Sequence, residues 1–314
     1  VSSTPWLGKV TDASGNVVQS FVGVKNGTDT WKDLSAVIDK DNWYAYDNTY
    51  LNAAPYIEGK NATAGKELTY ADLFLTENLV FKAGAATTDV VLDATVDLGI
   101  GYAQFSMGDN MTSARFNISS GGDGSHQFNH AGYVIDAGVE VHSTLTGSAN
   151  HVYEWRKTGE GALYIEGSGN NRDLLNVGGR GATYLNRVNG YAAYNVLANT
   201  HATVVIADKN QIARDFTFGH EGGVLDMNGN SMTWNNDNNA AADGFTIHAL
   251  DENAVIANMK ENSETTLTWT QGGEQTFLGS FRDDGDTAVL KFVYDGGTDS
   301  KMTLNSVFTE LRSA

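Results

Sequence analysis

Short runs of alternating apolar and polar residues, separated by Gly, Asn and Asp, recur along most of the chain. Within residues 88–98, Val90, Leu92, Ala94, Val96 and Leu98 share one face, and Asp93, Thr95 and Asp97 share the other. Residues 223–234 place Leu225 and Met227 inward, turn at Asn228, Gly229 and Asn230, and resume with Met232 and Trp234. Further alternating runs occupy 161–167, 202–207, 265–270 and 286–294. No segment carries an i, i+3, i+4, i+7 stripe of helical length, so the pattern predicts an all-β chain.

Each of these units offers one apolar face too small to fold alone. Stacking them as parallel rungs lets every strand edge pair with the next at about 4.8 Å. With roughly 20–25 residues per rung, residues 60–314 would form about ten rungs, a rod of about 50 Å. A sandwich would need about three copies of ~100 residues, and no linker or change of composition divides the chain after about residue 60. The segment 1–55 differs, being rich in aromatics (Trp6, Trp31, Trp43, Tyr44, Tyr46, Tyr50). Residues 10–24 predict a hairpin turning at Ser14, Gly15 and Asn16, and a linker is expected to run through Ala53, Ala54 and Pro55.

Composition sharpens this reading. The 35 glycines and 2 prolines suit a chain that turns often and keeps its N–H groups for ladders. With 20 Lys+Arg against 38 Asp+Glu, the net charge of −18 leaves no basic stripe for nucleic acid and disfavours anionic membranes. The absence of cysteine excludes disulfides and thiolate zinc sites. It also suits a protein that crosses an oxidising periplasm unfolded. No run approaches the ~20 apolar residues of a membrane helix. Val1 opens no signal peptide, and the chain reads as a piece of a longer protein.

Residues 158–196 (TGEGALYIEGSGNNRDLLNVGGRGATYLNRVNGYAAYNV) and 216–234 (FTFGHEGGVLDMNGNSMTW) closely resemble the stem of the peptidase S6 autotransporters. That family includes the IgA-specific serine endopeptidases, the adhesion-and-penetration autotransporters and the enterobacterial serine protease autotransporters. Weaker echoes at 67–81, 95–106, 243–250 and 276–300 extend the resemblance over about 67–300. It implies a right-handed parallel β-helix at the surface of a Gram-negative bacterium, preceded by a chymotrypsin-like protease domain and followed by an outer-membrane barrel. Residues 1–55 would then be the tail of the protease domain plus linker, and 56–314 the N-terminal part of the stem. The opening VSSTPWLGKV is similar to the family's nucleophile segment Gly-Asp-Ser-Gly-Ser/Thr-Pro. Thr4 and Pro5 match, and Ser2 falls at the nucleophile position. Val1 stands where Asp is expected and Ser3 where Gly is, and both departures count against a working nucleophile.

A serine triad also needs a general base and a carboxylate that orients it. All seven histidines (His126, His130, His142, His151, His201, His220, His248) lie far downstream, so no complete triad is expected within the chain. His220, in the FGHEGG turn, reads as a rim residue. Asp93, Asp97, Asp226 and Glu166 would suit a β-helical glycan-cleaving enzyme, yet Asp226 is better placed to hold the turn amides of Asn228 and Gly229. Residues 121–128 resemble a single calcium-binding nonapeptide without a stacked partner, and the acidic loops at 39–42 and 283–286 lack an EF-hand frame. No metal and no cofactor is therefore expected. The N-x-S/T sequences at Asn26, Asn61, Asn110 and Asn117 read as turn sequences. Trp155, Trp234 and Trp269, at alternate positions in strands, read as core rather than as a sugar platform. The expected partners are host extracellular proteins or sister copies of the chain. Three function classes follow: the scaffold of a secreted serine endopeptidase, a surface adhesin or self-associating passenger, and a carbohydrate-active enzyme.

Overall fold

The computed structural model describes most of residues 79–304 and the strands Ser3–Asp12 and Val17–Asn26. Outside the described residues lie 1–2, 13–16, 27–78, 84, 93–95, 98–101, 109, 122–123, 125–126, 148–153, 200, 235–243, 250–251, 271, 284–286 and 305–314. The predictions made on Ser2, on the aromatics Trp31 to Tyr50, on the linker at 53–55, and on His126, His151, Asp93 and Asn61 fall there. Strands are the only regular elements among the described residues, and no helix long enough to cross a membrane occurs there. Two units can be described, residues 1–146 with 155–163, and residues 147–154 with 164–314.

In the first unit, strands stack in parallel along two faces. Leu79–Lys82, Tyr102–Ser106, Gly132–Ile135 and Glu154–Gly159 form one face, and Thr87–Leu92, Ala114–Ser120 and Val139–Ser143 form the other. Alternation dictates which residues enter the core: Val90 and Leu92, Ala103 and Phe105, and Phe116 and Ile118 are buried, while Val91 is exposed. The run at 88–98 is broken, however, because one strand ends at Leu92 and another begins at Val96. The hairpin predicted at 10–24 is present as Ser3–Asp12 paired antiparallel with Val17–Asn26. Its first strand also runs antiparallel to Thr87–Leu92, with Lys9 opposite Val91. It thereby covers an edge that a parallel stack would leave open.

The second unit repeats the scheme. Thr183–Leu185, Thr203–Ile206, Gly223–Asp226, Ala254–Asn258 and Ser280–Asp283 line one face in parallel. Leu174–Val177, Ala193–Ala198, Ile212–Phe218 and Gly244–Ala249 line another. Met232–Trp234, Ser263–Trp269 and Ala288–Tyr294 continue that second sheet, joined to it where Met232–Trp234 pairs with Gly244–Ala249. In each unit, parallel strands joined through short corners and stacked rung on rung make a parallel β-helix.

The spacing of the rungs explains why the repeat is hard to see in the sequence. Leu174 pairs with Asn195, and Asn195 with Asp215, two short steps of nearly equal length. The next step, from Asp215 to Thr246, is half as long again, because Met232–Trp234 adds a strand to that rung. The step from Val255 to Ser280 is shorter once more. The expected spacing of roughly 20–25 residues holds for the regular rungs, and inserted corners lengthen the others.

Corners use residues that tolerate positive φ. Asn110, Asn189, Asn210, Asn228 and Asn262 all adopt it, with His201 as the one non-Asn, non-Gly residue among those described. Asn117 departs from the expected turn position. It lies within the strand Ala114–Ser120, donates to the Asp89 carboxylate (2.8 Å) and accepts from Arg115 Nε (2.8 Å).

Candidate functional site

Of the predicted chemical residues, Asp226 holds turn backbone. Asp226 is nearly buried, and one of its oxygens accepts the backbone N–H of Asn228 (2.8 Å) and of Met259 on the next rung (2.9 Å). The Gly229 amide, also expected on Asp226, goes instead to Asn258 Oδ1 (2.9 Å). The fully buried Asn258 side chain also donates to Ser263 Oγ (3.0 Å) and to the Val289 carbonyl (3.1 Å). Successive corners are thus fastened by side-chain amides and carboxylates that replace water around turn backbone, which buried turn groups require. One Asp226 oxygen is thus engaged in this corner ladder.

The described histidines are dispersed over different rungs. His130 stacks on Tyr133 (ring centroids 4.2 Å) and meets Trp155 edge-on (5.2 Å), and burial lowers its pKa to about 3, opposed by a hydrogen bond with the Gly132 backbone. His142 lies 3.5 Å from Glu140. His201 and His220 are exposed in turns, as expected of His220, and His248 lies 3.3 Å from Asp215 on an outer face. Trp155, Trp234 and Trp269 are buried, and the last two stack at 3.4 Å between centroids. They form core, and no exposed sugar platform is built from them. Among the described residues, no three His, Asp or Glu side chains converge as a metal site.

Two buried cations escaped the sequence reading. Arg187, only 1% exposed, spreads its guanidinium over three carbonyls of the preceding corner: Gly169 (2.8 Å), Glu166 (2.8 Å) and Ser168 (2.5 Å). Its backbone N–H donates to Gln211 Oε1 (2.7 Å), and Gln211 returns a bond to the Arg187 carbonyl (3.0 Å). Burial pushes the Arg187 pKa down, and Asp173 opposes this. Lys157 is fully buried, donates to the Gly159 carbonyl (3.4 Å), and has its pKa lowered by burial from 10.5 to about 8. The signal that could have found both is strand parity. Lys157 alternates with Trp155, and Arg187 with Thr183 and Leu185, so the pleat turns each inward.

Among the described residues, one open surface is the outer face of Leu174–Val177, Ala193–Ala198 and Ile212–Phe218. Leu175, Val177, Val196, Ala198, Phe216 and Phe218 fill the interior, so the intervening residues face outward. Register sets Leu174 beside Asn195 and Asn176 beside Leu197, a checkerboard of two leucines and two amides. Thr217 follows Leu197 on the next rung. Together with Glu154 these residues line an open groove of about 260 Å³. Farther along, Arg214 packs over the Tyr194 ring (5.8 Å) and lies 3.9 Å from Asp215.

These features define a class, the parallel β-helix whose corners are closed by side-chain amides. Sequence comparison then supplies the lineage. The chain is 31% identical over 202 residues to the serine protease SepA autotransporter of Shigella flexneri, covering 62% of this chain and 13% of that protein. It is 30% identical over 204 residues to the serine protease EatA of Escherichia coli, with the same coverage of 62% and 13%. The IgA-specific serine endopeptidase autotransporter of Neisseria gonorrhoeae is 33% identical over 122 residues, 36% of this chain and 7% of that protein. No protein-family model matches the chain. The chain is homologous to the passengers of the S6 autotransporter serine proteases, of whose full length it spans a small part. It is a segment of a secreted autotransporter passenger, the region that Gram-negative bacteria expose at or release from the cell surface.

Proposed function

We propose that this chain is the N-terminal part of a passenger stem that displays and supports a secreted serine endopeptidase acting on host proteins. The observation that carries this reading is the coincidence of a parallel β-helix with similarity, over 62% of the chain, to two autotransporters named as serine proteases. A stack closed by buried corner amides is stiff, which suits holding a catalytic domain away from a cell surface. In this reading residues 1–55 complete the protease domain, and an outer-membrane barrel follows the stem elsewhere in the parent protein. Rungs that fold one after another as they emerge would also oppose backsliding during secretion, where no ATP is available. The test is the intact mass and N-terminal sequence of the native secreted protein. An upstream extension of roughly the size of a protease domain, carrying a His and an Asp at protease spacing, is the expected result. A native form beginning near Val1, or an extension without those residues, would contradict it.

A second reading, in which the stem is itself adhesive or self-associating, is favoured by Val1 and Ser3 standing where the nucleophile pattern has Asp and Gly. Matrix-binding and cell-clumping assays on the chain separate the two. Retention on host matrix or clumping supports adhesion, and neither is expected of a passive stem.

A further inference from the structure

Two Asn-Gly pairs, Asn189-Gly190 and Asn228-Gly229, stand at corners of the second unit with nearly the same backbone: φ is +57° at Asn189 and +47° at Asn228. Their hydrogen bonding differs. Asn228 donates its side-chain amide to the Ile206 carbonyl (3.4 Å) and its backbone N–H to Asp226 (2.8 Å). The Gly229 N–H is held by Asn258 Oδ1 (2.9 Å). Asn189 is exposed, and among the described residues neither its side chain nor the Gly190 N–H has a hydrogen-bond partner. The chain thus carries one dipeptide in one conformation twice, once fastened and once free. Its third Asn-Gly pair, Asn26-Gly27, ends outside the described residues.

We propose that Asn189 is a site of spontaneous deamidation in the folded protein, and that the corner around Asn228 protects it from the same reaction. The Gly190 nitrogen gives up its proton to solvent and attacks Asn189 Cγ. A new C–N bond closes a cyclic imide, and the side-chain nitrogen takes up a proton and leaves as ammonia. Water then opens the imide at either carbonyl to leave aspartate or isoaspartate, a mass gain of about 1 Da. Glycine favours the attack because no Cβ shields its nitrogen and its backbone turns freely. At Asn228 the same step requires loss of the bonds to Ile206 and Asn258, so it proceeds only through local opening. The place of Asn189 gives the reaction a structural consequence. Gly190 packs so closely on the preceding corner that a Cβ would lie 2.3 Å from the Gly169 carbonyl, and isoaspartate inserts an extra methylene into the main chain there. Val188 bonds to that corner through the Gly167 carbonyl (2.8 Å) and the Gly169 N–H (3.0 Å), and Arg187 clasps it. Deamidation therefore strikes a contact between rungs, whether or not the parent protein is a protease.

The full chain is incubated folded, and in parallel unfolded in urea, in the same mildly alkaline buffer at body temperature. Peptides are mapped by mass spectrometry over time, with isoaspartate scored by fragmentation. In urea the two sites are expected to convert at similar rates, since both are Asn-Gly. In the folded chain Asn189 is expected to convert roughly tenfold faster than Asn228 or more, because each hydrogen bond that must break adds a factor of several. Asn258→Ala, which removes the acceptor of the Gly229 N–H, should bring Asn228 towards the rate of Asn189. Should that variant fail to fold, the two rates within the unsubstituted chain decide the matter. Equal rates at the two sites in the folded chain, or an unchanged Asn189 once the urea sample has converted, overturns the assignment.

Discussion

At the scale of the residue, charged groups placed inside the stack dominate the energetics. Arg187 donates to three carbonyls of a neighbouring corner, and removing it takes a buried donor from each. Arg187→Ala is expected to lower unfolding stability by about 3–5 kcal/mol. Arg187→Lys should recover little of this, since an ammonium lacks the planar fork. Denaturant titration reads both, and a loss below about 0.5 kcal/mol for Arg187→Ala, the size of an ordinary surface substitution, would contradict the clamp. Lys157 works against the fold at neutral pH. Its folded pKa of about 8 lies below its ordinary value of 10.5, so between those values the unfolded chain binds the extra proton and stability rises with pH. Lys157→Met is expected to stabilise the chain by about 3 kcal/mol below pH 8, an advantage that fades by about pH 10.5. Parallel unfolding curves of the two proteins from neutral pH to that point test this, and a constant difference would refute it. The sequence displays these residues only partly. Asp226 is legible because it precedes an Asn-Gly turn by two positions. Arg187 and Lys157 are not, because a charge in an alternating run is ordinarily read as solvent-facing, and only packing shows that parity has prevailed over charge.

At the scale of the element, strands are legible and their stacking is less so. Residues 223–234 behave as the alternation requires. Leu225, Met227, Met232 and Trp234 are buried, and Asn228 and Gly229 turn with positive φ. What alternation cannot encode is the partner. Rungs in the second unit are unequal, short from Asn195 to Asp215 and long from Asp215 to Thr246, so no fixed period marks which strands meet. Because Leu225 pairs with Val204 on one side and Ile256 on the other, its burial is shared by three rungs. Leu225→Asp is therefore expected to raise protease sensitivity at the neighbouring rungs as well as at its own. Limited proteolysis with mass mapping would show this, and unchanged resistance would sink the stacking account. Gly159 is a sharper case. Its φ is +87°, and a Cβ there would collide with the Ile135 carbonyl of the neighbouring rung. Gly159→Ala should cost about 1–3 kcal/mol in denaturant titration, against a few tenths at an unstrained surface glycine.

At the scale of the whole molecule, all-β architecture and excess acidic charge are readable from composition and pattern, and the lineage from the two motif blocks. Acid is expected to weaken the folded state through His130, whose burial holds its pKa at about 3 against an ordinary 6.5. The unfolded chain then binds more protons between those values, so stability falls as pH drops through that window. His130→Phe should flatten that part of the pH profile.

The most direct test of the central claim, parallel stacking, uses the absence of natural cysteine. Thr203 and Val224 are register partners on adjacent parallel strands, both facing outward from the core, and Val255 follows Val224 on the strand beyond. A Thr203→Cys, Val224→Cys chain should close a disulfide under mild oxidation while folded. A Thr203→Cys, Val255→Cys chain, whose cysteines stand two rungs apart, should not. Efficient cross-linking of the distant pair, or failure of the register pair in a folded chain, would contradict the β-helix.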